Sequence, residues 1–72
     1  MRLTSPSINK ETNKIAAIGI SDGTSNIFEA NFDLDSLDYL KFDKVTSYSN
    51  GEKIFSLSYN KNKIVFDLLI QD

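Results

Sequence analysis

A stretch of turn and strand that occurs twice constrains this chain more than any other feature. Ser7-Ile8-Asn9-Lys10 is echoed by Ser58-Tyr59-Asn60-Lys61, and Asn13-Lys14-Ile15 by Asn62-Lys63-Ile64. The first copy carries Glu11 and Thr12 in addition, and it sits in a run from Ser5 to Asp33 that reads turn, strand, turn, strand. The second copy, from Ser58 to Asp72, is a shortened form of that run. Repeats of this kind define units that bury their apolar faces by stacking, so the echo predicts two like units packed on one another. Ile15 and Ile64 should then hold equivalent strand positions, each after a turn from a preceding strand.

The strands follow from alternation and turn residues. Lys14 to Ser21 carries Ile15, Ile18 and Ile20 with Ala16, Ala17 and Gly19 between them, which predicts a strand covered on both faces. Asp22-Gly23 marks a turn, with Thr24 and Ser25 expected to lengthen its loop. Asn26 to Asp33 alternates cleanly, with Ile27, Glu29 and Asn31 on one face and Phe28, Ala30 and Phe32 on the other.

Leu34 to Phe42 fits two patterns. Leu34, Leu37 and Leu40 lie three apart behind Ser36, as in a capped helical turn, while Tyr39, Phe42 and Val45 favour a strand. The reading adopted is a third strand from Leu37 to Lys44. Thr46 to Glu52 is a loop by composition, sharpest at Asn50-Gly51.

Lys53 to Asn60 alternates again, placing Ile54, Ser56 and Ser58 opposite Phe55, Leu57 and Tyr59. Lys63 to Ile70 is the most apolar strand. Met1 to Thr4 reads as too short for an element of its own, and Pro6 suits the start or edge of a strand. The expected fold class is all-β with antiparallel strands. Ile15, Ile18, Ile27, Phe28, Phe32, Ile64 and Phe66 are expected among its less exposed residues.

Composition narrows the chemistry. With 72 residues the chain makes one small domain at most, and neither cysteine nor histidine occurs in it. That removes disulfide frameworks, zinc-finger spacing and the commonest catalytic base. Eight basic against ten acidic residues leave a net charge of −2 with no basic stripe, so no nucleic-acid partner is expected. No apolar run approaches the roughly 20 residues of a membrane span, and the N-terminus lacks the apolar core of a signal peptide.

Asp33, Asp35 and Asp38 resemble the start of a calcium loop, but Leu37 takes an oxygen position and no glycine follows. They read as solvated acids, and Asp22 as a turn residue. No Gly-x-Ser-x-Gly elbow and no glycine-rich phosphate cradle occurs. The aromatic residues fall on strand positions and read as core. No catalytic, cofactor-binding or metal-ligating residue is therefore assigned, and no cofactor is expected.

The two copies also resemble the repeat of TolB-type, WD-like β-propellers. Asn13-Lys14-Ile15-Ala16 stands at that repeat's Lys-x-Ile-Ala core, Ser21-Asp22-Gly23 at its turn and Asn26-Ile27-Phe28 at its Ile-Tyr position. Lys63-Ile64-Val65-Phe66 repeats the core, while the repeat's Ser-Pro-Asp-Gly turn is replaced in both copies. Arg2-Leu3-Thr4-Ser5 also resembles Lys44-Val45-Thr46-Ser47, as the close of one blade.

The resemblance implies a fragment of a longer protein. Residues 1–46 would be the end of a preceding blade plus one blade, and residues 47–72 the first half of a second. It further implies a non-catalytic protein-interaction scaffold, not an enzyme, in the periplasm. The alternative is a piece of the propeller that gates a prolyl-oligopeptidase-type serine peptidase. Its partners would be another protein or the missing blades. Open strand edges with little net charge predict self-association of the isolated chain.

Overall fold

The structure, a computed structural model, describes residues 1–32 and 41–70. It is all-β, with six antiparallel strands and no helix among the described residues. These are β1 (Arg2–Asn9), β2 (Lys14–Ser21), β3 (Thr24–Asn31), β4 (Asp43–Lys44), β5 (Lys53–Asn60) and β6 (Lys63–Leu69). The first four form one sheet in the order β1-β2-β3-β4, and β5 and β6 pair in a second.

Three tight connections set the registers. Asp22 and Gly23, at φ 51° and 76°, close a two-residue turn with Ser21 opposite Thr24. Positive φ at both central residues is the turn whose twist matches a hairpin, and Asp-Gly is a favoured sequence for it. Thr24 and Ser25 therefore belong to β3 and not to the loop assigned to them above. Lys10–Asn13 connects β1 to β2 with Asn9 opposite Lys14, and Lys61-Asn62 connects β5 to β6 with Asn60 opposite Lys63. The echoed segments thus fold as hairpins of matching register. Ile15 lies opposite Ile8 and Ile64 opposite Tyr59, with Glu11 and Thr12 taken up in the longer first turn.

Several boundaries differ from those expected. Arg2 to Asn9 is a full edge strand, although Met1 to Thr4 had looked too short to contribute one. Its register shifts between Thr4 and Ser7, where Ser5 and Pro6 together oppose Ala17. Ser5 adopts φ 53° there. Such a bulge on an edge is where a proline removes no ladder hydrogen bond.

Strand β3 ends at Asn31, yet the Phe32 amide still donates to the Asn13 carbonyl at 2.6 Å. Of the expected third strand, Lys41 and Phe42 do not pair; only Asp43 and Lys44 do, opposite Glu29 and Phe28. The remainder of that expectation, Leu37–Leu40, lies outside the described residues.

Strand β2 is covered on both faces, as its composition predicts. Ala16 and Ile18 are buried on one side, and Ala17 and Gly19 on the other. The hairpin β5–β6 lies on the Ala16–Ile18 side, and β5 contacts β1, β2 and β3. Ile18, Ile27 and Ile54 meet between the layers at 2%, 0% and 6% exposure. Tyr48, Leu57, Ile64, Phe66 and Leu68 pack around them. The seven residues expected to be sheltered are all buried or half-buried, but Ile54 was not among them.

Candidate interaction surface

The position of the second hairpin is set at both ends by polar contacts. At one end the Ser25 amide donates to the Glu52 carbonyl at 2.8 Å, and the Gly51 amide to Thr24 Oγ1 at 2.9 Å. Lys53 Nζ donates to the Gly23 carbonyl beside them. At the other end the buried Asn9 donates through Nδ2 to the Lys61 carbonyl at 2.7 Å, while its Oδ1 accepts from the Glu11 amide at 3.1 Å. Strand β5 therefore runs from the Asp22-Gly23 turn towards the Lys10–Asn13 turn, in the same direction as β1.

Between those ends the Tyr59 hydroxyl donates to Glu29 Oε2 at 2.7 Å, and Lys14 Nζ lies 3.8 Å from Glu29 Oε1. Partial burial holds the Tyr59 phenol well above its ordinary value, and the hydrogen bond to Glu29 and that carboxylate's charge act in the same direction. The Lys14–Glu29 pair is half in solvent and contributes little by itself.

The segment before β5 is tied down by one buried amide. Asn26 donates through Nδ2 to the Tyr48 carbonyl at 3.1 Å and accepts at Oδ1 from Thr46 Oγ1 at 2.8 Å and the Tyr48 amide at 2.7 Å. The Ile27 amide donates to Thr46 Oγ1 at 2.9 Å, and Val45 N to the Ile27 carbonyl at 2.7 Å. Residues 45–48 thus continue the edge contact that β4 begins, although composition assigns Thr46 to Glu52 simply to loop.

A bulge decides which side chains of the hairpin face solvent. Ile54 lies opposite Leu68 and Ser56 opposite Asp67, so Phe55 has no partner of its own. The extra residue shifts the alternation by one. Ile54, Leu57 and Tyr59 face the core together with Ile64, Phe66 and Leu68, and Phe55 is turned outward with Ser56 and Ser58. The expected split, Ile54 with the serines against Phe55 with Leu57 and Tyr59, holds only after the bulge. Phe55 is 67% exposed and Ile70 66%, with Val65 and Leu69 about half exposed on the same hairpin. The apolar last strand points to an exposed face at Val65 and Leu69, but an extra residue without glycine leaves no mark, so nothing in the sequence places Phe55 there.

Asp22, read as a turn residue, sits in the β2–β3 turn. Asp33, Asp35 and Asp38 lie outside the described residues. Among the described residues no three acidic groups converge where they could hold a metal ion, and no helix is long and apolar enough to cross a membrane. No protein family matches this chain, and neither does any curated protein or any solved structure.

Proposed function

We propose that the chain is a non-catalytic protein-interaction scaffold, built in the manner of a TolB-type propeller repeat. The observation that carries the scaffold reading is the outer face of the second hairpin. It presents Phe55, Val65 and Leu69, while the opposite face is occupied by the core. Apolar side chains gathered on one face rather than scattered singly are a mark of an interaction site. Placing Phe55 there takes a β-bulge, a feature that re-aims a side chain. The propeller reading draws support from the four-stranded antiparallel meander and from a second hairpin of matching register stacked on its face.

A photoreactive amino acid placed at position 55, with position 10 at the far turn as control, tests the scaffold reading in cells that express the chain. Covalent adducts at 55 and not at 10 are the expected result. Equal labelling at both positions, or none at 55, would overturn it.

A further inference from the structure

We propose that the chain forms a two-fold homodimer in which β6 pairs antiparallel with β6 of a second copy, Val65 opposite Val65. The proposal goes beyond the scaffold reading above: it uses the free edge of β6, whereas that reading rests on the outer face that carries Phe55. Among the described residues four strand edges are left without a pairing strand and can be compared. Strand β1 carries the Ser5-Pro6 bulge, β5 carries the Phe55 bulge, and β4 is two residues long. Bulges, prolines and short strands are the devices that keep an edge from pairing. Strand β6 has seven residues, no register shift, no proline and no positive φ. Among the described residues nothing pairs with its outer edge.

The backbone of β6 is set for pairing. The two-residue turn 61–62 makes Asn60 and Lys63 the bonded pair that closes the hairpin, and opposite residues in an antiparallel pair alternate from there between non-bonded and bonded. Lys63, Val65 and Asp67 therefore turn their amide and carbonyl groups towards β5, while Ile64, Phe66 and Leu68 turn theirs outward. In a two-fold register centred on Val65, Ile64 of one copy lies opposite Phe66 of the other. Both present outward groups, and the ladder closes.

Charge selects this register among those the backbone permits. Lys63, Val65 and Asp67 share the exposed face of β6. Centred on Val65, Lys63 of each copy faces Asp67 of the other, two ion pairs flanking a Val65–Val65 contact. Centred on Phe66, Asp67 would face Val65 and Lys63 would face Leu69. Parallel pairing in register would set Lys63 against Lys63 and Asp67 against Asp67. Like charges directly opposite one another oppose pairing, whereas opposite charges favour it. Asp67 is already oriented on this face by Ser56, whose Oγ donates to Oδ2 at 2.7 Å, which leaves Oδ1 for an ammonium group arriving across the edge. On the inner face, Ile64 and Phe66 are half-buried, and the pairing extends their apolar layer from one hairpin into the next. Strand addition of this kind takes its affinity from the main chain and its specificity from the alternate side chains.

Sedimentation equilibrium on the purified chain, with the variants K63D, D67K and K63D/D67K, tests the proposal. The wild-type chain should show the dimer mass. Each single variant, which creates two like-charge pairs, should weaken the dimer by about tenfold or more, and the double variant should restore it. Circular dichroism that is unchanged across the series separates dissociation from unfolding; if one single variant fails to fold, the other and the double carry the test. A wild-type chain that stays monomeric at millimolar concentration would overturn the dimer, as would a double variant that fails to re-associate. A monomer that still cross-links through position 55 to a protein of different mass would also overturn it, and would leave the scaffold reading standing.

Discussion

Lys61 opens the β5–β6 turn at φ 56°, a backbone conformation in which a β-carbon is crowded. That conformation costs an ordinary residue about 1–2 kcal/mol, and glycine's greater freedom in the unfolded chain returns about 0.5–1. Lys61→Gly should therefore stabilise the fold by about 0.5–1 kcal/mol, read from the denaturant midpoint at unchanged slope. The Asn9 bond survives the change because it is made to the Lys61 carbonyl.

Tyr59 gives a pH signature. Its phenol is held above the ordinary tyrosine value of about 10 by burial and by Glu29. The folded state thus holds a proton that the unfolded state releases once the pH passes about 10. The stabilisation is complete below that pH and is lost as pH rises from there towards the folded value. Tyr59→Phe should lower stability at neutral pH through the lost bond to Glu29. It should also flatten the fall in stability above pH 10 relative to wild type, in paired chemical melts.

Among the elements, the 45–52 segment depends on a side chain that belongs to another strand. Asn26 is buried, and its amide makes three of the four bonds that fasten Thr46 and Tyr48 to β3, the fourth running from the Ile27 amide to Thr46 Oγ1. Removing it leaves the Tyr48 amide and carbonyl without partners, a loss of about 1–3 kcal/mol. Asn26→Ala should destabilise the chain by that amount, and limited proteolysis should cut first between 45 and 52. Unchanged cleavage would mean that the remaining bonds at Val45, Thr46, Gly51 and Glu52 hold the segment without Asn26.

What was legible in the sequence divides along the same line. The bounds of β2 follow from an apolar run on both faces and those of β5 from alternation, each between turn residues, and they stand as read. The echo implies a strand before Ile15, but the span of β1 was not legible because its serines, threonine and proline give no periodic signal; it forms because Ile15 to Ile20 needs a partner on that side. The outward turn of Phe55 was missed because one inserted residue reverses a period of two without leaving a marker. No pattern near Asn26 announces a buried amide, since its two partner residues, Thr46 and Tyr48, lie about twenty residues away.

At the scale of the whole molecule, two hairpins of matching register face one another across a small apolar layer. A chain of 72 residues buries only about 60% of its unfolded surface, so each contact between the layers weighs heavily. The contact at the centre is Ile54 against Ile18 and Ile27. If the echoed segments are stacked units, Ile54 belongs to the first sheet's core as much as to its own hairpin. Selective methyl labelling of isoleucine, followed by a nuclear Overhauser experiment, measures this directly. Cross-peaks from the Ile54 δ-methyl to the methyls of both Ile18 and Ile27 are the result expected of stacked hairpins. An Ile54 methyl that shows contacts to β6 alone would contradict the stacking.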